Sequence, residues 1–224
     1  MDGKTAVSRE KILHALYEAA ELEHNLMCTY LYAVFSLKDG EGEGLSGAEA
    51  EAGARWRRAI LDVAIDEMSH LVAVWNITVA LGGAPRFGRT NFPIEPGRLP
   101  AGIAVKLAPF GEAAIQHFLY LERPETSAEG DGAGFAADKA APRTPRTFRL
   151  TPTGYDYATI GAFYQVIETD LRALAGAIGE AALFCGDPAL QLTPEEVGFK
   201  GARPVTSLDS ALAALAEIIV EGEG

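Results

Sequence analysis

The sequence is poor in cysteine, and this bounds both its fold class and its compartment. Cys28 and Cys185 are the 2 cysteines in 224 residues, and they do not form a Cys-x-x-Cys pair. A chain of this length can bury a sizeable core without a disulfide or a structural zinc. Since disulfides are rare in reducing compartments, we expect a cytoplasmic protein.

The sequence also lacks a basic excess and a long apolar run. Asp and Glu number 31 against 19 Lys and Arg, a net charge of −12, which argues against nucleic acid or an anionic membrane as the main partner. The longest apolar run, Leu71 to Leu81, is interrupted by Asn76 and Thr78 and is too short to span a bilayer. The polar start, Met1 to Glu10, predicts no signal peptide. We therefore expect no nucleic-acid or membrane partner.

Apolar residues instead recur every three or four positions, and no alternation typical of strands is present. The pattern predicts an all-α fold and a single domain over residues 1–224, with a crossover at 85–110 and a linker or lid at 125–153. Capping residues, glycines and prolines predict the helix bounds. These are a Ser8-capped helix to about Leu37, Ala48–Leu81 stopped by Gly82-Gly83-Ala84-Pro85, Gly111–Arg123, a Thr153-capped helix from Gly154 to Glu180, and Ser207–Glu221.

The most informative motif is Glu67-Met68-Ser69-His70 in the second predicted helix. A Glu and a His three apart project from the same helical face, so both can reach one ion. The stripe Val63, Glu67, His70, Val74, Ile77 and Leu81 places both on the side that should face the core. Buried charge is costly unless it is paired, hydrogen-bonded or bound to metal.

Two further carboxylates occupy apolar positions of their helices. Glu23 follows Leu16 and precedes Tyr30 on the first stripe, and Glu122 ends the third helix just before Pro124. For Glu122 the alternative is a plain carboxylate at a helix end, where the helix dipole disfavours it. His24 lies at the edge of the first stripe, as a core-boundary histidine or as a ligand.

Convergence of Glu23, Glu67, His70 and Glu122 would be hard to explain without a cation. Mutual repulsion and burial would otherwise raise the carboxyl pKa values sharply. Carboxylate oxygens with an imidazole nitrogen suit one or two ions of iron, while manganese or zinc also fits. Glu-x-x-His on an inward stripe recurs in ferritin-like bundles that hold two metals.

Several motifs, in order along nearly the whole chain, resemble the ferritin-like domain family related to iminophenylpyruvate dimer synthase. They are Ala20-Glu21-Leu22-Glu23-His24 with Tyr30-Leu31-Tyr32-Ala33, Asp66-Glu67-Met68-Ser69-His70-Leu71, Ala80-Leu81-Gly82-Gly83-x-Pro85, Phe118-Leu119-Tyr120-Leu121-Glu122-Arg123-Pro124, Ile160-Gly161-x-Phe163-Tyr164, and Ile218-Ile219-Val220-Glu221-Gly222-Glu223-Gly224. The resemblance implies a ferritin-like four-helix bundle with long irregular crossover loops and a carboxylate-rich metal site. In large enzymes of violacein and rebeccamycin type, such a domain is linked to oxidative coupling of amino-acid-derived imines.

The sequence departs from this family at its C-terminus. In the family, a helical segment bearing a histidine follows an element like Gly222-Glu223-Gly224, whereas this sequence ends there. The site is then expected to hold one metal, or to use His24 instead, or to belong to a shortened chain. Either Glu221 or Glu223 would be the last carboxylate, and the helical stripe favours Glu221.

The leading functional hypothesis is a non-haem metal-dependent oxidase acting on a small amino-acid-derived molecule. Its expected metal ligands are Glu23, Glu67, His70, Glu122 and Glu221, with Tyr30 or Tyr164 as a hydrogen-bond partner of the ligands. The alternative is an inactive interaction module of a biosynthetic assembly, with a degenerate site and a broad apolar surface suited to a homodimer. Arginines in the crossover and linker hint at an anionic substrate, although arginine is also common on plain surfaces.

Overall fold

The structure is a computed structural model that describes residues 7–86, 88, 92–94, 103–124, 126–135 and 157–222. Its α-helices, in chain order, are α1 (Arg9–Ser36), α2 (Gly47–Ala80), α3 (Glu112–Leu121), α4 (Ile160–Ile178), α5 (Glu180–Leu183), α6 (Pro194–Val197) and α7 (Leu208–Gly222). Single turns of 3₁₀ helix lie at Glu41–Glu43 and Pro188–Leu190. Within the described residues, β structure is confined to one antiparallel bridge between Ile94 and Val105.

Four of these helices form the bundle that holds the core. Helix α1 packs on α2 and α4, and α7 packs on α4 and α2, so the four make a closed square of neighbours. Each turns an apolar stripe inward, and the core includes Leu16, Ile77, Leu171 and Leu215, all fully buried. The predicted all-α four-helix bundle is confirmed. The short helix α3 lies in the connection between α2 and α4.

Local signals explain the bounds of the first two helices. The Ser8 hydroxyl accepts a hydrogen bond from the backbone N–H of Lys11 and so begins α1, as predicted. Ser46 and Glu49 cap each other reciprocally at the start of α2. Gly82, with φ of +78°, ends α2 in a left-handed conformation that a side chain would disfavour.

The predicted start of α4 is wrong. Helix α4 begins at Ile160, and its N-cap is Thr159, whose hydroxyl accepts from the backbone N–H of Ala162 at 3.1 Å. The expected cap Thr153 lies outside the described residues, and 157–159 are not helical. Threonine is a favoured N-cap residue at both positions, so the residue type alone does not distinguish them.

The connections beside α3 pack against the bundle. In the predicted crossover, Ile94 and Val105 are buried and paired through their backbones. The 126–135 segment returns along α3, where the Gln116 side chain donates to the Gly130 carbonyl at 2.9 Å. The rest of the predicted linker, 136–153, lies outside the described residues. The described helices include none that combines the length and the apolar character needed to cross a membrane.

Candidate metal centre

Three ionisable side chains lie among the core residues of α1 and α2. Glu23 is 2% exposed, Glu67 is 3% exposed and His70 is 5% exposed. Glu67 and His70 share a face because they are three residues apart on α2. Packing of α1 on α2 brings Glu23 opposite this pair. The sequence prediction that these three residues point inward therefore agrees with their burial.

The three side chains converge through one nitrogen of the imidazole. His70 Nδ1 lies 3.5 Å from Glu23 Oε2 and 3.7 Å from Glu67 Oε2. One ligand atom from each residue lies within 4.8 Å of the others. Such a set of two carboxylate oxygens and an imidazole nitrogen matches the donors that first-row divalent metals bind.

The pKa shifts of the three residues indicate that added positive charge stabilises the cluster. Burial disfavours charge on His70, but its interactions with the carboxylates of Glu23 and Glu67 outweigh this effect and raise the His70 pKa to about 11. Burial and the charge of Glu23 raise the pKa of Glu67 well above its usual value. For Glu23 burial is outweighed by hydrogen bonds from His70 and Glu67, which lower its pKa. Protons thus supply the positive charge that a metal ion could supply instead.

One oxygen of the cluster is left without a hydrogen bond. Glu67 Oε2 is buried and has no hydrogen-bond partner. An orphaned buried carboxylate oxygen is costly, and such an atom in a native core needs an explanation. Because this oxygen and Glu23 Oε2 both lie near His70 Nδ1, a cation bound among the three residues would satisfy it. The residues present therefore fit a bound metal.

Two buried tyrosines hold carboxylates of this region. The Tyr164 hydroxyl on α4 donates to Glu23 Oε1, and the Tyr30 hydroxyl on α1 donates to Glu122 Oε1. Burial, followed by the nearby carboxylates, raises the pKa of both phenols well above the usual value. Both tyrosines are therefore neutral hydrogen-bond donors. Tyr164 fixes Oε1 of Glu23 and leaves Oε2 directed at His70.

Glu122 lies at the edge of the cluster rather than inside it. It is the C-cap of α3 and is partly buried. Burial, with the charge of Glu23 also contributing, raises its pKa to about 7. The group of three ligand atoms within 4.8 Å does not include Glu122. The structure thus brings Glu122 to Tyr30, beside the three-residue cluster.

Glu221 lies on the opposite side of the imidazole from the other carboxylates. Its Oε2 is 3.1 Å from His70 Nε2, whereas Glu23 and Glu67 face Nδ1. When a metal displaces the proton on Nδ1, a carboxylate at Nε2 keeps the remaining proton there and leaves Nδ1 as the lone-pair donor. In this arrangement Glu221 orients the ring, and His70 Nδ1 is the atom free to bind a metal.

Sequence reasoning missed the lysine that accompanies Glu221. Lys200 Nζ binds Glu221 Oε1 and lies 3.2 Å from Asp66. The loop is fixed by the Gly201 backbone N–H, which donates to the Ser69 hydroxyl at 2.7 Å. A Cβ on Gly201 would lie 2.1 Å from the Ser69 carbonyl oxygen, so only glycine fits. No periodicity marks a lysine in an irregular loop, and only the folded chain reveals it.

The remaining predicted residues lie apart from the cluster or outside the described chain. His24 Nε2 lies 3.8 Å from Cys28 Sγ, and His24 is not in the three-residue group. Arg86 lies over the Tyr17 ring at 5.2 Å. Outside the described residues are Glu223, Arg89, Arg98, Arg143, Arg146 and Arg149.

Comparison with known proteins gives a family match and two relatives. A family model described as Ferritin-like matches residues 16–224. Dichlorochromopyrrolate synthase of Lentzea aerocolonigenes is 26% identical over 248 aligned positions, which cover 99% of this chain and 23% of that protein. The 2-imino-3-(indol-3-yl)propanoate dimerase of Chromobacterium violaceum is 30% identical over 135 positions, covering 52% of this chain and 13% of that protein. No solved structure matches. The chain thus spans less than a quarter of the length of either relative.

Proposed function

Because this chain belongs to the ferritin-like family, whose model covers residues 16–224, we propose that its buried cluster holds iron for redox chemistry on a small molecule. The ligands to a first ion are Glu23, Glu67 and His70 through Nδ1. Glu122, held by Tyr30, is the carboxylate available to a second ion. Manganese and zinc have overlapping ligand preferences and are the competing metals.

The observation that carries this proposal is the orphaned Oε2 of Glu67. A structural carboxylate in a core would be hydrogen-bonded on both oxygens or paired with a cation. Glu67 instead shares His70 Nδ1 with a second buried carboxylate, and its own oxygen lies 3.7 Å from that nitrogen, which is too far for a hydrogen bond. The same observation weighs against an interaction module with a degenerate site, because a protein without a metal would have no use for a buried carboxylate that is costly to keep.

The chain's own residues would prepare the site and exclude water from it. Tyr164 holds Glu23, and Glu221 holds His70 through Nε2, so each of these two ligands has one atom fixed and one directed at the metal. Iron bound there would supply the redox chemistry that these side chains lack, with dioxygen or peroxide as the oxidant. The name of the Chromobacterium violaceum relative, a dimerase of a 2-imino acid, supports an amino-acid-derived substrate of this kind.

The proposal is tested by metal content and by iron oxidation in matched variants. Glu67→Gln removes the orphaned oxygen's charge, and Glu51→Gln makes the same change at an exposed position of α2. We expect at least about one iron per chain in the wild type and in Glu51→Gln, and little in Glu67→Gln. Equal metal content in all three proteins would overturn the metal site.

A second measurement separates iron binding from redox chemistry. Protein loaded anaerobically with Fe²⁺ is exposed to dioxygen, and the loss of Fe²⁺ is followed with a ferrous chelator. We expect wild type and Glu51→Gln to oxidise the iron faster than free Fe²⁺ in the same buffer. Bound iron that resists oxidation by both dioxygen and peroxide would contradict the redox function while leaving the metal site in place.

A further inference from the structure

A pocket of about 410 Å³ lies next to the cluster, between α1, α2, α3 and the start of the 126–135 segment. This volume falls in the range of sites that bind small molecules. Its walls are mostly apolar and come from Ala59, Ile60, Val63, Ile115, Phe118 and Leu119. A ligand here would gain most of its affinity by removing apolar surface from water.

Tyr30 and Glu122 are two of the polar residues that line the pocket, and the Tyr30 side chain is fully buried. The Tyr30 hydroxyl already donates to Glu122 Oε1. A carboxylate can accept roughly four hydrogen bonds, so Glu122 keeps acceptor capacity after this one is made. Because Glu122 is only partly buried and lines the pocket, that capacity is available to a bound molecule.

The charges at the pocket disfavour an anionic group beside Glu122. Arg123 is the cation among the described lining residues, and its guanidinium donates to the carbonyls of Tyr120 and Ala158. It also stacks over the Tyr120 ring at 3.7 Å. Glu129 adds a second carboxylate to the lining. A ligand atom that meets Glu122 should therefore be a hydrogen-bond donor rather than an acceptor.

We propose that this pocket binds an apolar, ring-sized molecule that directs an O–H or N–H group at Glu122. The pocket itself stands on the geometry above, whereas its role as the substrate site rests on the proposed function. Tyr30 links the two, because it lines the pocket and binds Glu122 while Glu67 and Glu23 both help to raise its pKa. A molecule in the pocket would thus lie beside the metal centre.

The test uses three matched naphthalenes and protein kept free of metal with a chelator. 2-Naphthol has a donor, 2-methoxynaphthalene lacks it, and 2-naphthoate replaces it with an anion. Binding is followed by naphthol fluorescence and by calorimetry. At pH 8, where Glu122 is largely ionised, we expect 2-naphthol to bind at least roughly tenfold more tightly than either analogue, because each analogue loses the hydrogen bond to the Glu122 carboxylate.

Variants locate the binding and identify the acceptor. Val63→Trp and, on a different helix, Ile115→Trp fill the pocket and should weaken 2-naphthol binding by at least roughly tenfold. Val166→Trp, at an exposed position of α4 that does not line the pocket, is the matched control and should leave binding unchanged. Glu122→Leu should abolish the preference for 2-naphthol over 2-methoxynaphthalene.

Each outcome bears on one part of the proposal. Equal affinity for the three probes would overturn the role of Glu122, and unchanged binding in both tryptophan variants would overturn the pocket. Because these measurements need no metal, a protein that fails to bind iron can still pass them. In Co²⁺-loaded protein, 2-naphthol should alter the visible absorption of Co²⁺, and binding without such a change would contradict the link to the centre.

Discussion

Two histidines of this protein are buried beside carboxylates, and they differ in how many carboxylates they face. His70 is 5% exposed, with Glu23 and Glu67 facing Nδ1 and Glu221 facing Nε2. His117 on α3 is 0% exposed and binds one carboxylate, Asp131, at 2.6 Å. The carboxylates raise the pKa of His70 to about 11, whereas burial lowers the pKa of His117.

The contrast shows that burial and a carboxylate partner are not sufficient for a metal site. His117 stacks on the Phe135 ring at 4.0 Å and ties the 126–135 segment to α3. Its Nε2 lacks a hydrogen bond, as Glu67 Oε2 does. Among the described residues, however, ligand atoms converge as a group of three only at Glu23, Glu67 and His70. Convergence of several ligand atoms distinguishes a candidate site from a neutral structural histidine.

The largest expected effect is loss of metal binding in one histidine variant and not in the other. At a free Co²⁺ concentration of about 100 times Kd, the free energy of unfolding of the wild type should rise by about 2.7 kcal/mol. This gain should vanish in His70→Gln and persist in His117→Gln, because only His70 has converging ligands. Urea unfolding with and without Co²⁺ provides the measurement. An equal rise in the free energy of unfolding in both variants would contradict the difference proposed between the two histidines. If His70→Gln folds poorly, Glu67→Gln can be measured in its place.

A smaller effect is expected from the carboxylates that orient the two rings. Glu221→Gln should weaken metal binding by about 10–100-fold, because an amide orients His70 and supports its basicity less well than a carboxylate. Asp131→Asn makes the corresponding change at His117 and should leave metal affinity unchanged. Calorimetric titration with Co²⁺ measures both. Unchanged affinity in Glu221→Gln would contradict the role assigned to His70 Nε2.

The free energy of unfolding should depend on pH in opposite directions in the two regions. The cluster at His70 should lose stability as the pH rises, and the region at His117 should lose it as the pH falls. The Glu122 pKa is raised from 4.5 to about 7, and that of His70 from 6.5 to about 11. A raised folded pKa gives stability that is present below the unfolded pKa and lost as pH rises through the folded value. Metal-free protein should therefore lose stability on the order of 1–3 kcal/mol between pH 5 and about pH 8. Urea midpoints in the presence of chelator measure this loss.

Glu122→Gln and added Co²⁺ should both reduce that loss. The variant removes the Glu122 carboxyl group, which must otherwise ionise as the pH rises. Co²⁺ competes with protons for the ligands, so it stabilises the folded protein more at high pH than at low pH. Stability of the metal-free wild type that rises over this pH range would show that the cluster does not hold its protons as described.

The smallest expected effect is at His117. Its lowered pKa, caused first by burial and opposed by Asp131, gives stability that is present above 6.5 and lost as pH falls. His117→Phe keeps a ring against Phe135 and removes the titration, so the stability lost between pH 7 and pH 5 should shrink by about 1 kcal/mol or less. The same urea series measures it. A larger acid loss in the variant would mean that protonated His117 stabilises the fold.

Much of the fold follows from local sequence signals. Ser8, the Gly82-Gly83 pair and the apolar stripes predict α1, α2 and α7 to within one or two residues, because caps and periodicity act over a few positions. The start of α4 does not follow, since Thr153 and Thr159 carry the same local signal.

The sequence predicts which residues of the candidate site lie on the inward face of a helix, but not how residues from different elements meet. The spacing of Glu67 and His70 and the stripe position of Glu23 predict three inward groups. The side of the imidazole that Glu221 meets depends on the ring orientation, which the sequence does not encode locally. The approach of Lys200 and the pocket beside Tyr30 depend on loops distant in sequence, and no periodic pattern marks them.

The central claim is that a metal binds on the Nδ1 side of His70, and anomalous diffraction from Fe²⁺-soaked crystals tests it most directly. We expect a peak within roughly 2–2.5 Å of His70 Nδ1 and of oxygens of Glu23 and Glu67. A peak on the Nε2 side beside Glu221, or peaks only at surface carboxylates, would contradict it.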